Sequence, residues 1–259
     1  MPEMIEVEQY RRTAHQVVGR TIRTIRATDD WYLKGTTTAA RLRSTLRGAT
    51  VIDTRRIGKL LLVDTDGPIL GLRFGMTGRL LVDGQAPIER LEYSSGRLEP
   101  AWVRFALAFD GGGTLEVVDP RRLGGVELDP HEERLGPDAL ALSPSLLRTA
   151  LAASTAPVKA WLLDQSRVAG IGNLLADEIL WRSGIDPARR CRSLTAAEVR
   201  RLQRHITATI EELTRRGGSH TGDLQVARQR GASCPRDGAP LLRRTIGGRT
   251  TYSCPRHQR

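Results

Sequence analysis

The opening residues, Met1-Pro2-Glu3-Met4-Ile5-Glu6, combine a nucleophile with two acids. An initiator methionine followed by a small residue such as proline is commonly removed, and the new terminus is then a secondary amine. Such an amine can attack an aldehyde-level carbon and form a cationic iminium. At a helix N-terminus it also meets the positive end of the helix dipole. That favours the neutral, nucleophilic form and lowers its pKa from the free α-amine value of about 8. Glu3 and Glu6 lie one helical turn apart on one face, where they could handle protons beside the amine. The same residues also fit plain helix capping, with proline in the first turn and acids after it.

Three further segments carry chemistry. Gly170-Ile171-Gly172-Asn173 lies between two helical patterns. Backbone N–H groups at such a helix start, with an asparagine amide, suit a phosphate; a glycine-rich helix–helix turn is the plainer alternative. Cys234-Pro-Arg-Asp237 and Cys254-Pro-Arg-His257 enclose a hairpin-sized insert. That is the layout of a zinc ribbon or knuckle, or of a hairpin that folds without metal. Asp119-Pro-Arg121-Arg122-Leu123-Gly124 follows a strand pattern. Two arginines and an apolar tip could enter a DNA groove with Leu123 as a wedge, or form a solvated turn.

These residues need elements to hold them. Residues 3–18 read as a helix, with Val7, Tyr10, Ala14 and Val17 at helical spacing. A short helix is predicted over 37–46. Strand-like runs follow at 50–54, 60–63, 69–74, 79–82, 102–109 and 114–118, separated by turn signals such as Gly75-Met76-Thr77-Gly78 and Asp110-Gly-Gly-Gly113. Short strands at this spacing predict an antiparallel sandwich or barrel. After Asp129-Pro130 the pattern turns helical, over 143–151, 158–164, 174–183 and 195–216. The last begins with the capping box Thr195-Ala-Ala-Glu198, carries the stripe Val199, Leu202, Ile206, Ile210, Leu213, and stops at Gly217-Gly218.

The chain has 259 residues, 39% hydrophobic and 27% charged, which excludes a wholly disordered chain. It has no run of 18 apolar residues and no apolar signal core at its start, so no membrane span or secretion is expected. Three cysteines make no disulfide framework and fit a reducing cytoplasm. A net charge of +11 and a pI near 10.6 point to a polyanionic partner, nucleic acid before membrane. Only Lys34, Lys59 and Lys159 are lysines; the other 37 basic residues are arginines. Codon usage accounts for most of that bias, yet a site that keeps lysine can need an ammonium that loses its proton.

Taken in order, these segments resemble the formamidopyrimidine-DNA glycosylase / endonuclease VIII family. The residues that carry the resemblance are the Met-Pro-Glu start with Glu6-Val7-Glu8, Gly58-Lys59, Gly75–Gly78, Asp119–Gly124, Leu135–Leu140, Lys159 to Asn173 with Glu178, and Cys234 to His257. They span essentially the whole chain. The resemblance implies an α+β protein in three parts. These are an N-terminal two-sheet antiparallel β-sandwich (1–132), a helical helix–two-turn–helix domain (133–225) and a zinc-finger-like hairpin (226–259). It implies a base-excision-repair DNA glycosylase and AP lyase in the cytoplasm of a bacterium, associated with the nucleoid. Its substrate would be damaged duplex DNA, bound by a monomer in a cleft with Pro2 at the floor.

Residue by residue, the resemblance makes Pro2 the nucleophile and Glu3 the proton donor or acceptor. Glu6 is a second acid, and Lys59 a phosphate contact and proton carrier. Arg249 grips the phosphates flanking the flipped nucleotide, and Lys159 and Asn173 bind phosphate. Met76, Arg121 and Leu123 fill the void left by the flipped base. Cys234, Asp237, Cys254 and His257 are the candidate zinc ligands. Departures from the family pattern are equally specific. Leu123 replaces phenylalanine, and Asp237 and His257 replace cysteines. Pro100-Ala-Trp102 stands where the family has His-x-His, and extra sequence lies around 88–99. Only Ser219–Ser233 separate the long helix from Cys234, where members specific for 8-oxoguanine carry a longer covering loop. Formamidopyrimidines, oxidised pyrimidines, further-oxidised guanine products and abasic sites are therefore expected at least equally. A damage-binding protein without catalysis, or a lyase with one narrow lesion, is the competing reading.

Overall fold

The computed structural model describes residues 2–88, 91–92 and 96–259, so part of the extra sequence around 88–99 lies outside the described residues. The chain divides into two units, Met1–Glu132 and Glu133–Arg259.

In the first unit, α1 (Met4–Ala14) starts at the N-cap Glu3 and tightens into a 3-10 turn at His15–Val17. The predicted helix to residue 18 ends there because the chain turns at Gly19, whose φ is +84°. Eight strands follow: β1 (Ile22–Arg26), β2 (Val51–Ile57), β3 (Leu60–Thr65), β4 (Leu70–Arg73), β5 (Arg79–Val82), β6 (Val103–Phe109), β7 (Thr114–Val118) and β8 (Gly125–Leu128). They form two four-stranded antiparallel sheets, ordered β1-β6-β7-β5 and β2-β3-β4-β8. Helix α2 (Ala39–Leu46) is capped by Thr38, whose hydroxyl accepts from the Arg41 N–H, and buries Leu42 and Leu46.

One apolar core joins the two sheets to α1. It takes Val7, Tyr10 and Ala14 from α1, Leu61 and Val63 from β3, and Phe105, Leu107 and Phe109 from β6. Helix α1 packs on β2 and β3 of one sheet and β5 of the other. Its entry into the fold is therefore fixed from both sides, and with it the position of Pro2. Tyr10 is fully buried, its ring centroid 4.5 Å from that of Phe74, and its hydroxyl donates to the Gly78 carbonyl at 3.2 Å.

Two strands escape the sequence pattern. In β1 the buried residues Ile22 and Ile25 are three apart, because the register with β6 shifts between Ile22 and Thr24. A bulge of this kind breaks the period of two on which strand prediction rests. Strand β8 is four residues long and lies at a sheet edge, too short to show alternation.

The second unit holds α3 (Pro144–Ala152), α4 (Val158–Leu163), α5 (Asn173–Ser183), α6 (Ala196–Arg215) and the hairpin β9 (Leu242–Ile246)–β10 (Arg249–Ser253). The α6 capping box forms as predicted, and its apolar stripe is buried. The paired Arg189 guanidinium and the Thr195 groups draw the Glu198 carboxyl down to about 2. Helix α5 is buried nearly all round, including Asp177 and Glu178, and ends at left-handed Gly184. Charges in such a helix must be paired. None of the described helices is long and apolar enough to cross a membrane.

Candidate functional site

At the start of α1, Pro2 and Glu3 are buried, and Glu6 is 3% exposed. Glu3 and Glu6 close a reciprocal box. The Glu3 N–H donates to Glu6 Oε2 at 2.8 Å, and the Glu3 carboxylate accepts from the Glu6 N–H. The acids do cap the helix, but Pro2 stands before the N-cap Glu3 and not in the first turn as the sequence suggested, and the capping does not exclude chemistry. The box holds two carboxylates in fixed positions next to Pro2, on a helix that cannot shift without breaking the Tyr10–Gly78 bond.

Lys59 is half-buried at the tip of the β2–β3 hairpin. Ile57 pairs with Leu60, so the turn is the two residues Gly58-Lys59, with Gly58 at φ +57° as a tight hairpin requires. Arg56 ties this tip to α1. Its Nη1 donates to the Gly58 carbonyl at 2.8 Å, and its Nε lies 3.4 Å from Glu8 Oε2. The hairpin carrying Lys59 and the helix following Pro2 are therefore one connected assembly.

Met76, Arg121 and Leu123 come together on two facing turns. Arg121 Nη1 lies 3.8 Å from the Met76 sulfur, and Leu123 is 49% exposed. The turns touch so closely that a Cβ on Gly75 (φ +56°) would stand 2.4 Å from the Leu123 carbonyl carbon. Fully buried Asp119 organises both. Its Oδ1 accepts from the Thr77 hydroxyl (2.6 Å) and the Arg121 N–H (3.3 Å), and its Oδ2 from the Gly124 N–H (2.9 Å). Arg122, between the two outward side chains, has φ +57°, a conformation that costs a non-glycine residue about 1–2 kcal/mol.

In the second unit Asn173 opens α5, and its amide donates to the Thr250 carbonyl of β10 at 3.1 Å. Gln165 shapes the turn before it. Its Oε1 accepts from the Gly170 N–H at 2.9 Å, and its Nε2 donates to the Leu163 and Ile171 carbonyls at 3.0 Å. Arg249 is exposed at the start of β10, beside the two-residue turn Gly247-Gly248, both at positive φ.

Lys159 is placed differently from a surface phosphate contact. It is 0% exposed, 2.6 Å from Asp177 Oδ1, and it donates to Thr251 Oγ1 at 2.7 Å and the Thr250 carbonyl at 3.3 Å. Asp177 also pairs with Arg228 and accepts from the Tyr252 N–H at 3.3 Å. This buried cluster joins α4, α5, the segment before Cys234 and β10, so Lys159 braces Asn173 and the Arg249 hairpin from beneath.

Cys234 Sγ, Cys254 Sγ, an Asp237 oxygen and a His257 nitrogen all lie within 4.8 Å of one another, a group that could hold a metal ion. His257 Nδ1 is 3.0 Å from Asp237 Oδ2, and its Nε2 is 3.2 Å from the Trp181 carbonyl. The second nitrogen is thus engaged by a backbone oxygen, the usual outer partner of a metal-bound histidine. The Trp181 indole N–H donates to Cys234 Sγ at 3.3 Å. Around the group pack Trp181, Leu224, Ala227 and Ala239.

Sequence reasoning missed Asp177, Arg228 and Gln165. One signal existed for Asp177: an acid inside the apolar run Leu174-Leu-Ala-Asp-Glu-Ile-Leu-Trp181, four residues after Asn173 and so on its face. Arg228 carries no such mark.

Comparison with known proteins agrees over the whole chain. Residues 1–126 match the family model described as formamidopyrimidine-DNA glycosylase N-terminal domain, and residues 135–224 match the formamidopyrimidine-DNA glycosylase H2TH domain. The formamidopyrimidine-DNA glycosylase of Symbiobacterium thermophilum is 35% identical, covering 100% of this chain and 89% of the relative. That of Geobacillus kaustophilus is 34% identical with full coverage of both. A solved complex of Lactococcus lactis Fpg with DNA containing an abasic site superposes with a TM-score of 0.83 at 27% identity, covering both chains fully.

Proposed function

The chain belongs to the formamidopyrimidine-DNA glycosylase family and is a base-excision-repair DNA glycosylase with the family's AP-lyase activity, and we propose that Pro2, freed by removal of Met1, is its nucleophile on damaged duplex DNA. The observation that carries this is the start of α1, where a proline precedes two buried carboxylates locked by a reciprocal box.

The damaged nucleotide must leave the stack before its C1′ can be reached, at a cost of a few kcal/mol. Met76, Arg121 and Leu123 occupy the space it vacates, and Arg249 and Asn173 hold the flanking phosphates, releasing counterions. The Pro2 nitrogen attacks C1′. The N–C1′ bond forms as the glycosidic bond breaks, and the base departs with the bonding pair. Glu3 takes the proton that the attacking Pro2 nitrogen still carries and passes it to the sugar ring oxygen; the ring opens as the nitrogen's freed lone pair completes the iminium. The iminium acidifies the C2′ hydrogen. Its removal, assisted by Lys59, expels the 3′ phosphate, and water then hydrolyses the iminium to free Pro2. A second elimination at the 5′ side would leave a one-nucleoside gap. The protein acts as a monomer on the DNA of the bacterial nucleoid.

The segment 219–233 supports a substrate range that does not rest on a covering loop. Glu178 accepts from the Asp223 and Leu224 N–H groups at 3.0 and 2.9 Å. Leu224 is fully buried, and Asp223 pairs with Arg182 and Arg216. The segment is stapled to α5 and α6. Formamidopyrimidines, oxidised pyrimidines, further-oxidised guanine products and abasic sites are therefore taken at least as readily as 8-oxoguanine. Borohydride trapping on a panel of duplexes, with product ends resolved, tests this. Covalent adducts that form on those lesions at least as fast as on 8-oxoguanine are expected. Shifted DNA without adduct on every lesion would make the protein a damage binder.

The four-residue group of the hairpin takes zinc in this reading. A tetrahedral ion with Zn–S near 2.3 Å and Zn–N near 2.0 Å needs donors about 3–4 Å apart, within a small adjustment of the spacing present. Cys234, Asp237, Cys254 and His257 would hold it, and bound zinc would cross-link the two ends of the hairpin. About one zinc per chain is expected after mild purification, and Cys254→Ser should lose it together with the hairpin's DNA affinity. Metal-free protein with full affinity would remove the ligand assignment.

A further inference from the structure

We propose that Asp29 is a positioning residue for the void-filling turn: a carboxylate latch that holds Arg122 back against the protein and so fixes Arg121 and Leu123 in the conformation that enters the duplex. This rests on the reading that the turn fills the space left by the flipped base.

Arg122 sits between the two outward side chains in left-handed backbone, which needs an external hold. Asp29 supplies one in fork geometry. Arg122 Nε donates to Oδ2 at 2.7 Å and Nη2 to Oδ1 at 2.6 Å. The Asp29 side chain is only 12% exposed, and Arg104 approaches the same carboxylate at 3.8 Å. Arg104 in turn donates to the Asp119 carbonyl at 2.8 Å. The turn is thus gripped from two sides, by Asp119 through the backbone of Arg121 and Gly124 and by Asp29 through Arg122. Asp29 itself is anchored as the residue before the 3-10 turn Asp30–Tyr32. Tyr32 closes against the far end of the same turn, where a Cβ on Gly124 would meet its hydroxyl at 2.3 Å.

The latch has a physical purpose. A free three-residue turn would lose conformational freedom each time it entered DNA, whereas a turn already held loses little. Leu123 presents less stacking surface than an aromatic tip, so its insertion depends more on being delivered in place. Neutralising Arg122 also leaves one cation, Arg121, directed outward beside an apolar tip.

Asp29→Asn and Arg122→Gln, singly and together, test the latch on a duplex with an abasic site facing 2-aminopurine, whose fluorescence reports unstacking of the widowed base. Each single change should lower kcat/KM by about tenfold and slow the fluorescence rise. The double variant should match either single one, because both cut the same link. Borohydride trapping by Asp29→Asn on a single-stranded abasic oligonucleotide, which has no void to fill, should stay within about twofold of the parent. Unchanged duplex kinetics in Asp29→Asn would overturn the latch. So would an equal fall on single strand and duplex, or additive losses in the double variant. If the unmodified protein trapped neither substrate, the proposed chemistry would fail instead.

Discussion

Replacing Pro2 with glycine is expected to reduce base excision by on the order of a hundredfold, the scale seen when a reacting group is no longer held in its attacking geometry. In the unmodified protein, borohydride added on an abasic-site duplex should give a covalent product whose cross-link maps to Pro2. Glycine keeps an amine but loses the ring that makes it secondary and sets its direction. The helix behind it should survive, because the reciprocal box is made by Glu3 and Glu6 and the anchor by Tyr10. A fall in activity with unchanged melting temperature therefore separates chemistry from folding. Mass spectrometry supplies the complementary check: the active fraction must begin at Pro2. Active protein with Met1 still attached, or full excision by Pro2→Gly, would overturn the assignment.

The second large effect belongs to Asp177. Its carboxylate is 0% exposed and faces two cations, Lys159 at 0% and Arg228 at 7% exposure. Asp177→Ala would leave both cations buried without their counter-charge. Breaking a buried ion pair in this way costs about 3–5 kcal/mol. For a unit of this size that lowers the melting temperature by on the order of 10–20 °C. Duplex affinity should fall with it, because the same cluster braces β10, and Thr250 receives the amide of Asn173. Lys159→Met added to Asp177→Ala should recover part of the stability, since it removes one stranded charge. Recovery of stability without recovery of DNA affinity is the expected signature of a brace. If Lys159→Met alone weakened binding while leaving the melting temperature untouched, Lys159 would be a direct phosphate contact after all.

Much of the site was legible because its features are local. The acids Glu3 and Glu6 one turn apart, the capping box at Thr195–Glu198, the Gly58-Lys59 tip, the Gly170–Asn173 turn and the paired x2 spacings at Cys234–Asp237 and Cys254–His257 each rest on residues a few positions apart. Their backbone preferences act without help from distant chain. The strand runs of the sandwich were legible for the same reason, except β1, where a bulge broke the alternation, and β8, too short to show one. Lys159 misled because sequence carries its charge but not its direction. Spared among arginines, it looks like a contact for a ligand, yet it points into the protein.

Sequence alone therefore determined the chemistry on offer: a proline before two acids, a lysine at a hairpin tip, arginines beside an apolar tip, and four side chains of metal-ligating type in two pairs. Only the tertiary structure decided which of these groups are presented and which are spent on holding others. Asp29 meets Arg122 across 93 positions, and Lys159 meets Thr251 across 92. No periodicity marks such pairs. A buried or half-buried charge is satisfied by whichever partner the packing of distant elements brings within about 3 Å, and that choice is made by the whole fold at once.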